Sequence, residues 1–235
     1  MFIEPSTLEA DLDRLEEIEK ASLRLVTQAL VTFRTAASEI FSKEKDLAQA
    51  IAEDITREAL DRMGVSKIDE RLFGKVDYKR ARYVFHPVYA IRQALFVESK
   101  AEKSKNSARL QIAQTSLEVR QMRAGEQVVV PGKLPRITEI GGAQYLTTTI
   151  VVKYYYKGTE ERNAALINIT VASLPNGLLQ DLYNPTTDDS IWVVGPDAPS
   201  LDEDFRTRLA FNKLKQKKNW RVQTIPMFPD FAWDN

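Results

Sequence analysis

Two carboxylates and one lysine are the residues of this chain whose types and spacing suggest chemistry. Glu98 and Lys100 end an apolar run at positions 94–97, and Asp77 precedes them. Because side chains alternate along a strand, Glu98 and Lys100 should share one face, with Ser99 turned to the other. If Asp77 comes from an adjacent strand, two hard oxygen donors and one ammonium group meet. Such a set can hold a divalent cation that keeps several waters, and the lysine can position or deprotonate one of them.

This spacing is the pattern written PD-(D/E)xK, in which an Asp is followed after about twenty residues by an acid, any residue and a lysine. Val76 stands where the pattern has proline. The pattern alone has low specificity, because its residue types are common. The alternative interpretation is a solvated strand end that carries an ordinary surface ion pair.

Composition excludes several kinds of site. The chain has no cysteine, and His86 is its single histidine. Disulfides, thiolate zinc sites and multi-histidine metal sites are therefore excluded, so any metal must be held by oxygen. No apolar run approaches membrane-spanning length, and the acidic start of the chain does not resemble a secretory signal. We expect a cytoplasmic protein without a membrane segment.

The formal net charge is zero, but the charge is segregated along the chain. Residues 1–70 hold 9 Lys and Arg against 16 Asp and Glu, whereas residues 71–125 hold 12 against 4. Residues 126–204 hold 5 against 11, and residues 205–235 hold 7 against 2. The first basic block contains the three motif residues. Local basic fields of this kind favour binding to a polyanion.

Apolar periodicity predicts two helices, over residues 7–42 and 45–62. Glu53, on the second helix, has two interpretations: an ordinary solvated helix residue, or a further carboxylate at the metal site. Strands are predicted over 72–85, 91–97, 145–156, 164–174 and 220–225, a helix over 110–122, and a short helix or an extended basic segment over 201–218.

These elements predict a single α/β domain over residues 1–235. Within it we expect a helical part over 1–70, a catalytic core over 71–125, and a β-rich part over 126–235 that carries a DNA-recognition segment.

The chain resembles the SfiI-type type II restriction endonucleases over nearly its whole length. Residues 16–29 and 52–60 are similar to that family's first two helices, and residues 73–80 and 97–101 match its catalytic core with the same number of intervening residues. Further similar segments follow in the family's order, at Tyr154-Tyr155-Tyr156, Ser173-Leu174-Pro175, Tyr183-Asn184-Pro185, Phe205-Arg206-Thr207-Arg208 and Trp220-Arg221. The resemblance implies a PD-(D/E)xK restriction-endonuclease-like core, with a mixed central β-sheet flanked by helices and with N-terminal helices.

The resemblance also implies roles for the motif residues. Asp77 and Glu98 would bind Mg²⁺ together with the main-chain carbonyl of Ser99, and Lys100 would be the catalytic lysine. The chain departs from the family pattern in having Glu98 where an Asp stands and Ser99 where an Ala stands. Glutamate is accepted across the wider PD-(D/E)xK group, so the metal role is retained.

Arg206 and Arg208 are similar to the family's specificity arginines. Two arginines two residues apart can project side by side from an extended segment. An arginine fork matches the two acceptors of guanine in the major groove. Phosphate contact, or a surface salt bridge to the acidic residues at 202–204, is the alternative. Asn106 also fits the family, although Ser107 follows it where an arginine is expected, and Lys105 and Lys79 are further candidate DNA contacts.

The implied function is Mg²⁺-dependent cleavage of both strands of DNA at a short, G·C-rich palindromic or interrupted site, giving 5′-phosphate and 3′-hydroxyl ends. Such an enzyme would be a homodimer or a homotetramer. A cognate methyltransferase is expected in the same cell. The alternatives are a structure-specific repair or recombination nuclease and a non-catalytic DNA-binding protein.

Overall fold

The computed structural model describes residues 2–44, 47–66, 82–86, 88–159, 162–195 and 205–235. The predicted strand residues 72–81, which include Asp77 and Lys79, lie outside the described residues, and so do the acidic residues at 202–204. In the part of the chain that the structure describes, no helix is both long enough and apolar enough to cross a membrane.

Two long helices form the first part of the chain, as the periodicity predicts. Helix α1 covers Leu12–Lys43 and begins where the Asp11 carboxylate accepts a hydrogen bond from the main-chain N–H of Arg14, at 3.1 Å. A short 3₁₀ helix over Pro5–Ala10 precedes α1. Helix α2 covers Ala48–Arg62. At the start of α1, the Asp11 side chain thus satisfies an N–H group that the helix itself leaves unpaired.

The other elements are mostly strands. They are β1 (Arg82–His86), β2 (Ile91–Glu102), β3 (Ser107–Gln111), β4 (Val119–Arg123), β5 (Glu126–Val130), β6 (Ile137–Ile140), β7 (Ala143–Thr159), β8 (Arg162–Leu174), β9 (Trp192–Val193), β10 (Arg206–Ala210) and β11 (Val222–Pro226), with two short helices, α3 (Gln180–Tyr183) and α4 (Phe211–Lys217).

The main sheet has six strands in the order β1-β2-β7-β8-β11, with β6 also paired to β7. Strands β2 and β7 pair in parallel, and the other pairs in this sheet are antiparallel. A smaller sheet has the order β3-β10-β9, and β4 and β5 form a hairpin. The molecule therefore has the mixed central sheet flanked by helices that the family resemblance implies.

Both faces of the main sheet are covered. One face packs against α1 and α2 through buried sheet residues that include Leu95, Ile150, Val152, Ile169 and Val171. A second buried cluster joins Val151, Ala172 and Val222 of the main sheet to Leu110 and Leu209 of the smaller sheet. Since Ile150, Val151 and Val152 alternate between the two clusters, the strand period of two assigns them to opposite faces.

The helix predicted over residues 110–122 is wrong. These residues form the end of β3, a 3₁₀ helix over Ile112–Gln114, and β4. Their apolar spacing fits a helix, but β3 pairs with β10, which lies about one hundred residues away in the sequence. The segment at 201–218 combines both predicted possibilities, because its described residues form β10 followed directly by α4.

A buried ionic cluster attaches α1 to the far edge of the main sheet. The Arg221 side chain, with no exposed surface, lies 2.8 Å from a Glu19 carboxylate oxygen and 3.2 Å from a Glu16 oxygen. Glu19 also accepts a hydrogen bond from the main-chain N–H of Asn176, at 2.7 Å. Burial raises the pKa of Glu19, although the charge of Arg221 acts in the opposite direction. Arg221 and Glu19 have no exposed side-chain surface, so neither charge can be solvated and each depends on the other.

Replacing Arg221 with methionine should lower the free energy of unfolding by about 3–5 kcal/mol, because a buried carboxylate is left without its cation. Urea denaturation followed by circular dichroism measures the change. Arg57→Met is the matched control, because its partner Asp54 lies at 2.5 Å but both side chains are more than half exposed. The control should change stability by less than about 1 kcal/mol. Equal effects of the two substitutions would contradict the structural role of the cluster.

Candidate active site

Strand β2 places Glu98 and Lys100 on one face and Ser99 on the other, as predicted. The Lys100 ammonium lies 3.8 Å from a carboxylate oxygen of Glu98, and the two side chains are 18% and 8% exposed. Ser99 turns the other way, and its hydroxyl donates a hydrogen bond to Thr56 of α2, at 2.8 Å. The described residues thus bring Glu98 and Lys100 together, as the period of two requires.

A buried set of hydroxyl groups fixes this part of β2 against α2. The Thr56 hydroxyl is hydrogen-bonded to the Tyr154 hydroxyl at 2.7 Å, and it donates to the main-chain carbonyl of Ala52 at 3.0 Å. Burial raises the pKa of Tyr154, so its hydroxyl stays protonated. Because Ser99 bonds to the same Thr56 oxygen, the set joins α2, β2 and β7 at the residue between Glu98 and Lys100.

One amide group brings Glu53 to the same place. The Gln49 side-chain NH₂ donates to the main-chain carbonyl of Ser99, at 2.8 Å, and to the Glu53 carboxylate, at 2.7 Å. The Gln49 amide oxygen accepts from the main-chain N–H of Ala101, at 2.9 Å. Gln49 therefore attaches α2 to β2 beside a candidate metal ligand, and it places the Glu53 carboxylate next to that ligand.

Gln114 is a residue of the site that the sequence analysis misses. Its side-chain NH₂ donates to a carboxylate oxygen of Glu98, at 2.6 Å, and its amide oxygen accepts from the main-chain N–H of Gln111, at 3.1 Å. The 3₁₀ helix over Ile112–Gln114 delivers this contact. The sequence contains no local signal for it, since the contact depends on how the segment after β3 turns back over β2.

Glu102 is a third charged residue on the face of β2 that carries Glu98 and Lys100. One of its carboxylate oxygens lies 2.5 Å from the Arg208 guanidinium, and the other accepts from the main-chain N–H of Arg109, at 2.9 Å. Burial alone would raise the pKa of Glu102, but the Arg109 hydrogen bond and the Arg208 charge outweigh burial and lower it. The sequence could have indicated Glu102, because it lies two positions after Lys100 and so continues the same alternation. The predicted strand, however, ended at residue 97.

Arg206 and Arg208 lie on β10, in the extended conformation that the side-by-side projection requires. Arg208 is buried, and its described ion-pair partner is Glu102. Arg206 is half-buried, and its main-chain carbonyl accepts a hydrogen bond from the Arg123 guanidinium. Antiparallel pairing with β3 places Arg208 opposite Arg109.

Lys105 and Asn106 lie exposed in the turn between β2 and β3. Lys153 of β7 holds this turn, because its ammonium donates to the main-chain carbonyls of Ser104 and Ser107, the latter at 2.6 Å. Lys153 is the register partner of Lys100, so the two lysines occupy neighbouring positions on one face. Burial lowers the pKa of Lys153 to about 8.

The donors on β2 suit a hard cation. The Glu98 carboxylate and the Ser99 carbonyl supply oxygen only, the ligand type that Mg²⁺ prefers, and the adjacent Glu53 would add another carboxylate. Among the described residues, no group of three or more His, Cys, Asp or Glu side chains could hold a metal ion. The predicted third ligand, Asp77, lies outside these residues.

Comparisons with known proteins agree on one family. The family described as "Type II restriction enzyme SfiI" matches residues 21–225. The type II restriction enzyme SfiI of Streptomyces fimbriatus is 35% identical over 231 residues, which cover 92% of this chain and 86% of that protein.

Two solved structures are similar to the whole fold. The structure of tetrameric restriction endonuclease SfiI bound to cognate DNA matches with a TM-score of 0.84 and 32% identity, over 100% of this chain and 91% of that one. The restriction endonuclease BglI bound to its DNA recognition sequence matches with a TM-score of 0.69 over 96% of this chain and 95% of that one; its 17% identity supports the fold alone. The sequence and structure matches together show that this chain belongs to the SfiI family of type II restriction enzymes.

Proposed function

We propose that this type II restriction endonuclease cleaves both strands of double-stranded DNA in a Mg²⁺-dependent reaction, at a short, G·C-rich palindromic or interrupted site. The products would carry 5′-phosphate and 3′-hydroxyl ends. The observation that carries the proposal is the position of the Lys100 ammonium, 3.8 Å from the buried Glu98 carboxylate and on the same face of β2. A carboxylate and a lysine at this separation can act on one scissile phosphate.

Asp77, Glu98 and the Ser99 carbonyl would hold the Mg²⁺ ion. When bound, the ion would orient a water and offset negative charge on the scissile phosphate. Lys100 would contact the phosphate or the attacking water, and its charge would stabilise the negative charge that develops during in-line attack. Gln114 donates to the Glu98 oxygen that also faces Lys100, and this shared oxygen supports a fixed carboxylate orientation.

Recognition would use the smaller sheet and the turn after β2. Arg206 and Arg208 would read base edges from β10, and Asn106, Lys105 and Lys79 would contact the phosphate backbone. Salt-sensitive phosphate contacts position an enzyme on the duplex, whereas contacts to base edges select the sequence. The extended conformation of β10 supports this division, because it allows two arginines two residues apart to point the same way.

Cutting two antiparallel strands with one active site per subunit calls for at least a twofold dimer. We infer a homodimer or a homotetramer, since a twofold DNA site mirrors twofold protein symmetry. The tetrameric SfiI structure supports an assembly of this kind. The host cell would need a methyltransferase of the same specificity to protect its own DNA.

Lys100→Ala should lower the cleavage rate by about 10²–10⁴-fold while DNA binding persists, because the variant loses the group that assists water attack. The test incubates a sequenced, methylation-free plasmid with the wild type and the variant, with Mg²⁺ or with a chelator. Discrete Mg²⁺-dependent fragments are expected from the wild type, and sequencing their ends gives the site. Lys43→Ala, on the exposed end of α1, is the control and should cut like the wild type.

Other outcomes of this digest distinguish the alternatives. A smear of fragments would indicate a nuclease without sequence specificity. An intact plasmid that the protein nevertheless binds, at every Mg²⁺ concentration, would contradict the proposal and favour a non-catalytic DNA-binding protein.

Glu53→Gln should raise the Mg²⁺ concentration needed for half-maximal cleavage by about 10- to 100-fold, the effect typical of groups that support a metal site. Asp54→Asn is the matched control, because Asp54 is the next residue of α2 but is paired with the exposed Arg57. Mg²⁺ titration of plasmid cleavage measures both variants. If Glu53→Gln and Asp54→Asn gave the same curve as the wild type, Glu53 would be an ordinary helix residue.

A further inference from the structure

Glu102 lies between the residues proposed for catalysis and those proposed for recognition. It follows Lys100 by two positions on β2 and shares its face. Its side chain is 8% exposed, and its two oxygens contact different partners: the Arg208 guanidinium on one side and the main-chain N–H of Arg109 on the other. One carboxylate thus connects β2 with β10 and with β3.

The Arg208 guanidinium is held from three directions. One terminal nitrogen donates to Glu102 at 2.5 Å and to the Ser104 hydroxyl at 2.7 Å, and Nε donates to the Ser107 hydroxyl at 2.9 Å. The side chain is only 10% exposed. A long arginine side chain fixed in this way has lost most of its rotamer freedom before DNA arrives, so binding need not impose that entropic cost.

More positive than negative groups lie around Glu102. The Lys153 ammonium and the Arg109 guanidinium also face this region, with Arg109 Nε 3.9 Å from a Glu102 oxygen. Three cations therefore surround this largely buried carboxylate. Without Glu102, their mutual repulsion would act on Arg208, the member of the set that the proposed function assigns to base reading.

We infer that Glu102 is a positioning residue that orients Arg208 for sequence recognition and mechanically couples the recognition strand β10 to the catalytic strand β2. The inference rests on the proposed function, in which Arg208 contacts the DNA. It assigns Glu102 to specificity and not to the chemical step. Because Glu102 is an anion, it also opposes non-specific attraction of phosphates to the three cations.

Glu102→Gln is the direct test, since glutamine has a similar size and can still accept from the main-chain N–H of Arg109. The variant should lose discrimination while its affinity for DNA stays the same or rises. The ratio of kcat/KM on a duplex with the preferred site to that on a duplex with one changed base pair should fall about tenfold to a hundredfold, the range of one good arginine–guanine contact. End sequencing of plasmid fragments identifies the preferred site, and both duplexes are synthesised from that sequence.

A double-mutant cycle separates positioning from a general structural role. In an Arg208→Lys background, Glu102→Gln should change the discrimination ratio less than twofold, because the side chain it orients has been replaced. Ser107→Ala, which removes the Nε partner of Arg208 without changing charge, should lower discrimination in the same direction by a smaller factor. Glu58→Gln, which removes the charge from an exposed carboxylate–arginine pair on α2, is the control and should leave discrimination unchanged.

The outcomes are distinct. If Glu102→Gln lowered kcat/KM equally on both duplexes, or kept the wild-type ratio, the inference would be overturned while the proposed function stood. Where Glu102→Gln does not fold, the Ser107→Ala ratio decides, and an unchanged ratio would overturn the inference. If the wild type cut neither the plasmid nor any duplex, the proposed function itself would fail.

Discussion

The parallel pairing of β2 with β7, with both faces of the sheet covered, is the constraint on which the site depends. A strand buried on two sides has no free face on which to place polar groups, so every charged side chain on it needs a specific partner. The partners of Glu98, Glu102 and Ser99 come from three different directions: the segment after β3, strand β10, and α2. The site is therefore assembled by tertiary packing around a single strand.

The two faces of this strand are specialised. The face toward α2 uses neutral hydrogen bonds, in which hydroxyl groups and the Gln49 amide join helix to strand. The opposite face carries the ions. Neutral contacts hold a rigid support at small desolvation cost, whereas buried ions depend strongly on their partners. At the far edge of the sheet, the Arg221 ion pairs with Glu16 and Glu19 join α1 to the strands, together with hydrogen bonds from Arg221 to Ser173.

The sequence was sufficient wherever the relevant interaction is local. Apolar spacing identified α1 and α2, and alternation placed Glu98 and Lys100 on one face of β2. It failed for residues 110–122, where pairing with a distant strand outweighed helical spacing. It also missed Gln49 and Gln114, because each acts through a contact between segments that are separate in the sequence. Glu102 was missed because the predicted strand ended before it. Resemblance to a family carried the rest, including the roles proposed for Arg206 and Arg208.

The alternation along β2 also limits how such a chain can change in evolution. Substitution of one β2 residue alters one contact, but inserting or deleting one residue before Glu98 would exchange the two faces from that point onward. Lys100 would then face α2, and Ser99 would occupy the ionic side. Changes of length should consequently be tolerated at the exposed turn between β4 and β5, but not within β2 or in the turn after Glu102, where Ser104 and Ser107 contact Arg208. The alternation of faces therefore fixes the number of residues in the central strand.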